Sequence, residues 1–546
     1  MKKDSFLKGA FILGLAGILV KVMGAFFRIP LVNIITSEGM GYYSTAYPLY
    51  VLLLVVSTAG FPTAISKLVS EKIALGDRRG AHRVFKVSFR ALISVGIITS
   101  AILFFGADFL VVSWFKNPKA LYSMKAIAPA LVFVSVMSSY RGYFQGLQNM
   151  KPTAVSQIIE QFFRVGLGLF LAFFFLDKGK EYAAAGASFG ATAGAVFGAI
   201  FMIGIYMSSR KDIKAEVEKS TFEPEVEETS GDIIKRLLGI AVPITIGAAV
   251  IPIMTFIDTA IVMRRLQGIG FSIEESSSLY GQLTGMAATL VNLPQVLTVA
   301  LSMSLVPIIS QCIATKNMQK AKEQTQISMK VASVLSFPAA VGLAVLSVPI
   351  MQMLFPNEPS STGQILLVLS FGVVFLCFTQ TFTGIFQGMD KAHVPVINLA
   401  IGAVLKIVIS YVLTGIPEIN VKGAALGTVV AYSVAAILNF IQLKKYMNVE
   451  FNLVDSIVKP FAASAIMGAV VKLTFGIIYP GVGNNMACVG SIGVGMAVYA
   501  ILLFKVGIIT NKEIMTLPKG KKLSKILVKL RLISGNDCLA VDEKRA

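Results

Sequence analysis

Histidine, cysteine and charge are all scarce in this chain, and each scarcity narrows the classes of function open to it. His82 and His393 are the two histidines among 546 residues. No HExxH pair is formed, so a histidine-built zinc or general-base centre has nothing to stand on. Cys312, Cys377, Cys488 and Cys538 are scattered without CxxC spacing, which suggests packing residues and no metal site or disulfide framework. There is no GxxxxGK[ST] phosphate loop, so ATP hydrolysis is not expected. Charged residues make up 14% of the chain, well below the roughly one quarter usual in soluble domains.

Apolar residue is what the chain has instead. Hydrophobic residues reach 55% and mean hydropathy is +0.75. Runs longer than the roughly 18 residues that cross a bilayer recur throughout, among them Ala91 to Val112, Leu237 to Ile257 and Ile457 to Ile478. The expected fold is therefore an all-α integral membrane protein. Fourteen spans are expected at about 6–28, 42–64, 88–112, 123–145, 153–176, 183–207, 233–262, 278–310, 328–352, 362–387, 395–414, 422–443, 456–478 and 485–507. The opening Met1-Lys-Lys-Asp and its apolar run imitate a signal peptide but show no convincing small-x-small cleavage site, and the run continues past Lys21 to Phe27, so it is read as a retained first span.

A net charge of +20 would point to nucleic acid in a soluble protein. Here the basic residues sit mainly in alternate connections, as in the stretch from Lys67 to Arg90. They read as topology determinants that place both termini in the cytoplasm. No nucleic-acid partner is expected.

The chain repeats itself. Arg141-Gly-Tyr-Phe-Gln-Gly146 followed by Pro152 returns as Thr383-Gly-Ile-Phe-Gln-Gly388 followed by Pro395. Gly186-Ala-Ser-Phe-Gly190 returns as Gly423-Ala-Ala-Leu-Gly427, and Pro62-Thr-Ala-Ile-Ser66 is echoed by Pro307-Ile-Ile-Ser310. Spans 1–6 and 7–12 are thus expected to be two copies of a six-helix unit with the same orientation. The predicted layout is an N-lobe over 1–207, an acidic cytoplasmic linker over 208–232, a C-lobe over 233–443, two further spans over 444–510, and a basic tail over 511–546. In that tail Leu523, Ile526, Leu527, Leu530 and Ile533 recur at helical spacing opposite lysines, which suits an amphipathic helix on anionic lipid or a simple basic anchor.

Cations inside apolar spans are the candidate functional residues. Gly14, Gly17, Lys21, Gly24 and Arg28 recur at steps of three and four and form one helix stripe. Intramembrane charge is costly, so Lys21 and Arg28 are expected to face a cavity, the alternative being that each snorkels to the interface. Glu160 and Arg164 stand i, i+4 for an internal ion pair, and Lys406 occupies the repeat position of Arg164. They are candidates for an inter-helix lock or a substrate contact. Asp258 precedes Arg264 and Arg265 near an outer end. It is expected to pair with these, or with Lys21 or Arg28, as a gate, unless all three are topology charges.

These motifs carry a resemblance. Arg141-Gly-Tyr-Phe-Gln-Gly-Leu-Gln, Pro152-Thr-Ala-Val-Ser-Gln-Ile-Ile-Glu160-Gln, Tyr280-Gly-Gln-Leu-Thr-Gly-Met, Asn292-Leu-Pro and Phe386-Gln-Gly-Met-Asp resemble the polysaccharide-transport branch of the multidrug/oligosaccharidyl-lipid/polysaccharide exporter superfamily. Nearest within it is the stage V sporulation protein B group, relatives of the MurJ-type lipid II flippases. The resemblance implies a fourteen-helix, two-lobed fold with a central cavity and movement of an undecaprenyl-diphosphate-linked glycan to the outer leaflet of a bacterial cytoplasmic membrane. It implies a cell-wall or sporulation role and partners among cell-wall synthesis enzymes. It also implies that first-helix cations line the cavity, a pattern that Lys21 and Arg28 match with lysine in place of the first arginine. The basic residue that such flippases place before the helix 8 Leu-Pro has no counterpart, and Thr289 stands near its position. Lipid II or another lipid-linked glycan is the expected cargo.

No cofactor is expected, and the membrane potential, protons or sodium are the candidate energy sources. The main rival is a multidrug or organic-cation antiporter of the same fold, which requires a cavity carboxylate. A membrane-bound glycan polymerase, or a scaffold for one, is a second rival, although the outward connections are poor in acids and histidines.

Overall fold

The structure, a computed structural model, describes residues 3–218 and 228–509. The acidic residues Glu223, Glu225 and Glu227, Cys538 and the whole amphipathic tail lie outside the described residues. Every regular element described is helical. Hydrocarbon offers no partner for a free N–H or C=O, so each crossing segment must satisfy its backbone internally.

Among the described residues, twelve helical stretches are long and apolar enough to cross a membrane, and the chain is a multi-pass membrane protein. Two of them are unusually long, with 63 residues over Ile12–Ala74 and 52 over Val454–Lys505. Each contains a break, at Thr36 (φ 63°, ψ 174°) and at Gly483 (φ 74°, ψ 177°). Glycine adopts that conformation freely, whereas a threonine in it costs about 1–3 kcal/mol.

By packing, the chain forms two compact units, Met1–Val296 with Leu399–Ala431, and Leu297–Asn398 with Tyr432–Ala546. The first contains α1 (Lys3–Thr58), α2 (Phe61–Ala74), α3 (Arg78–Phe109), α4 (Leu121–Ile127), α5 (Ala130–Gly146), α6 (Lys151–Phe174), α7 (Lys180–Glu218), α8 (Ser230–Gly268) and α9 (Ile273–Gly281). The second contains α11 (Met318–Val345), α12 (Ser347–Leu354), α13 (Ser361–Ser370), α14 (Gly372–Gly388) and α17 (Lys459–Lys505). The boundary falls inside α10 (Ala288–Ala314), α15 (His393–Leu413) and α16 (Val421–Met447).

The repeated sequence motifs share local structure. In the first unit a β-carbon on Gly142 or Gly146 of α5 would overlap Ile65 or Val69 of α2. In the second, β-carbons on Gly384 and Gly388 of α14 would overlap Ser302 and Ile309 of α10. The glycines thus let two helix backbones touch, the usual device of helix pairs in lipid. Both motifs then end in the same turn, Asn149 N donating to Phe144 O and Lys391 N to Phe386 O, each at 2.9 Å. Likewise Asp77 caps α3 by accepting from Gly80 N at 2.6 Å, and Asn317 caps α11 by accepting from Lys320 N at 3.0 Å.

Several expected connections are helix instead. α2 runs to Ala74 and α3 starts at Arg78, so only a short turn interrupts the basic stretch Lys67 to Arg90. The segment over 208–232, expected as an acidic linker, is helical up to Glu218, and α8 begins at Ser230 behind a capping box of Thr229 and Asp232. Intrahelical hydrogen bonds do not stop where hydropathy falls, so a helix can continue past its apolar part.

Candidate functional site

All of the following residues belong to the first unit. Arg28 leaves α1 half-buried and donates to the Thr284 carbonyl at 2.9 Å and to Thr289 Oγ1 at 3.3 Å. Thr284 lies in a widened π-type turn, Gln282–Ala287, between α9 and α10. Such a turn interrupts the i→i−4 ladder and frees backbone groups for side chains. Thr289 in turn donates to Gly285 O at 2.6 Å, so its oxygen is oriented toward Arg28. The position where the sequence lacks a basic residue therefore receives the guanidinium of α1. Lys21, further along the same helix, is exposed, and no polar contact of it is found among the described residues. Between them a β-carbon on Gly24 would sit 3.3 Å from Gln161 Nε2 of α6.

The i, i+4 pairing expected between Glu160 and Arg164 does not form. Glu160 accepts instead from Arg141 of α5 at 3.0 Å, and Arg141 Nε also donates to Ser156 Oγ at 2.9 Å. Arg164 turns toward α1, donating to Tyr47 Oη at 2.8 Å and lying 5.3 Å from the Tyr47 ring centroid. Helix–helix packing decides this. Gly190 and Gly194 bring α7 onto the backbone of α6 at Arg164 and Glu160, and the two side chains leave toward different neighbours.

Asp258 of α8 does not pair with Arg264, Arg265, Lys21 or Arg28, as the sequence led one to expect. Its Oδ2 lies 2.8 Å from Lys406 Nζ of α15. Arg264 and Arg265 sit nearly two turns further on. Arg264 Nε donates to Trp114 O at 2.8 Å and a second of its N–H groups to Ser113 O, while Arg265 Nε donates to Tyr411 O at 2.9 Å.

Along α2 a groove of about 670 Å³ is lined by Thr63, Ser66, Lys67, Ser70, Glu71, Ala74 and Gln145. Glu71 also accepts from Arg236 of α8 at 2.7 Å. Arg236 bonds in addition to Glu228, which lies 3.0 Å from Lys72. Burial raises the pKa of Glu228, but hydrogen bonds from Lys72 and Arg236 outweigh it and hold the carboxyl below its usual range. Sequence reasoning missed this cluster, because its members lie on three segments. The role of Arg141 had one signal, since its motif carries Thr383 in the second copy.

The sequence pattern described as polysaccharide biosynthesis protein matches residues 6–313, more than half of the chain. The chain belongs to the polysaccharide biosynthesis protein family. A second pattern, MatE, matches residues 283–412. Family relatives in Bacillus subtilis (strain 168) include Stage V sporulation protein B, 28% identical over 95% of this chain and 98% of its own length. Another is the Lipid II flippase MurJ, 30% identical over 86% of this chain and 88% of its own length. Among solved structures, Lipid II flippase MurJ in an inward closed conformation superposes with a TM-score of 0.68 at 16% identity, covering 90% of this chain and 98% of that one. An inward-facing MATE family transporter of the MOP superfamily superposes with a TM-score of 0.67 at 15% identity, covering 82% and 98%. Lipid II flippase MurJ and the MATE protein are named for transport, and the fold of this chain is the MATE/MurJ-like helical one.

Proposed function

We propose that the protein moves a polyprenyl-diphosphate-linked glycan across the bacterial cytoplasmic membrane by alternating access. The observation that carries this reading is Arg28, a cation of the first span held by a neutral carbonyl and a hydroxyl and by no carboxylate among the described residues. A diphosphate cannot enter hydrocarbon unaided, because unpaired charge is prohibitively costly there. Arg28, with Lys21 on the same stripe, replaces its hydration. The polyprenyl tail stays in lipid, since extracting it costs about 0.8 kcal/mol for each CH₂. The hydroxyls and amide of the α2 groove suit the sugar.

The reading includes fourteen crossings, counting each broken stretch as two, with two six-helix lobes and both termini in the cytoplasm. Membrane potential, protons or sodium drive the cycle, and cell-wall synthesis enzymes supply the cargo.

The antiporter alternative draws on the MatE match but requires a cavity carboxylate. Glu160 and Asp258, both in membrane-spanning helices, are already neutralised by Arg141 and Lys406. Purified protein in liposomes separates the two. Movement of a defined undecaprenyl-diphosphate disaccharide between leaflets, with its length unchanged, is the expected result. Movement of organic cations alone would overturn the reading, as would a change in glycan length.

A further inference from the structure

We propose that the pocket between the ends of α3, α8 and α15 binds the phosphate of an anionic membrane lipid. The pocket measures about 260 Å³. Its floor is apolar, built from Ile257, Ala260 and Ile261, and its rim carries Trp114, Tyr411, Arg264 and Arg265. An apolar floor under a cationic rim matches a lipid head joined to its first acyl carbons. Tryptophan and tyrosine favour the depth at which such heads lie.

The two guanidinium groups are built into place without being neutralised. Arg264 is fixed by the carbonyls of Ser113 and Trp114, the C-terminal end of the helix that continues α3. Arg265 is fixed by the Tyr411 carbonyl and lies 4.5 Å from the Tyr411 ring centroid. A β-carbon on Gly415 would overlap that guanidinium, so the glycine makes its room. No carboxylate pairs with either arginine among the described residues, and Arg264 Nη1 and both Arg265 Nη nitrogens have no protein acceptor there. Two adjacent, preorganised cations with free donors suit a phosphate, which guanidinium binds through paired N–H groups. The phosphate has two candidate sources, a resident phospholipid and the lipid-linked cargo. The site does not depend on which cargo the protein moves.

Trp114 is the only tryptophan in the sequence and is 43% exposed, so its fluorescence reports on this pocket alone. The full chain in detergent is titrated with phosphatidylglycerol or phosphatidylcholine brominated on the acyl chain. Phosphatidylglycerol is expected to quench at a concentration at least tenfold lower, and Arg264→Gln with Arg265→Gln to erase the preference. Should loss of the Arg264 cap unfold the double variant, Arg265→Gln alone keeps that cap and is expected to reduce the preference severalfold. Equal quenching by the two lipids, or a preference that survives the substitutions, overturns the proposal. Unbrominated phosphatidylglycerol and undecaprenyl diphosphate are then added as competitors. Recovery of fluorescence at lower concentration with the polyprenyl lipid assigns the site to cargo, and with phosphatidylglycerol to a resident lipid. Recovery with neither also overturns it.

Discussion

Lys406 of α15 lies 2.8 Å from Asp258 of α8, and Asp258 is only 6% exposed. The pair joins two helices that are far apart in sequence, in the repeat position where α6 carries Arg164. Gly190 packs on the Arg164 carbonyl and Gly427 on that of Lys406, so the two cations stand in matching settings with different partners.

Removing one member of a buried pair strands the other charge, at a cost of about 3–5 kcal/mol. Asp258→Leu is therefore expected to lower the thermal unfolding midpoint of the purified protein sharply, and Asp258→Leu combined with Lys406→Leu to recover most of the loss. An unchanged midpoint in the single variant would contradict the pairing.

Thr289 offers one of two acceptors to Arg28. Its replacement by valine removes a charge-assisted hydrogen bond of about 1.5–3 kcal/mol while the Thr284 carbonyl remains. Transport by Thr289→Val is expected to fall about tenfold or somewhat more, and Thr289→Arg is expected to fall further because it sets two cations together. Leaflet exposure of a labelled glycan lipid measures both.

Gly142 and Gly388 do the same work in the two repeats, letting α5 reach α2 and α14 reach α10. Valine at either position overpacks the contact at a cost of about 1–3 kcal/mol. Similar losses of monodisperse protein in size-exclusion chromatography are expected for Gly142→Val and Gly388→Val.

The Glu228 carboxyl is depressed in the folded state, where Lys72 and Arg236 bond it. The folded protein thus holds that proton less readily than the unfolded chain. Its stabilisation is present above the ordinary glutamate value of about 4.3 and is lost as pH falls through the lower folded value. Glu228→Gln is expected to unfold at a lower temperature than the parent at neutral pH, with the gap closing in acid. A gap that widens in acid would contradict the cluster.

The helices and the repeat were legible in the sequence, because spans leave long apolar runs and the glycines of Gly142-Tyr-Phe-Gln-Gly146 mark backbone contact. Charge partners were not. The i, i+4 rule places Glu160 beside Arg164, but it sees one helix at a time, and Arg141 and Tyr47 compete from neighbouring helices. Asp258 likewise looked toward the arginines nearest in sequence, although those are engaged by the carbonyls of Ser113, Trp114 and Tyr411. Helix ends were misplaced wherever hydropathy fell before the hydrogen bonding did, as at Ala74 and Glu218.

The central claim is that Arg28 receives a diphosphate. It is tested most directly by the rate at which an undecaprenyl-diphosphate disaccharide changes leaflet in liposomes containing the parent protein, Arg28→Ala or Arg28→Lys. Rapid movement with the parent, partial movement with lysine and background movement with alanine are predicted. Parent-like rates for Arg28→Ala, in protein of unchanged thermal stability, would contradict the account.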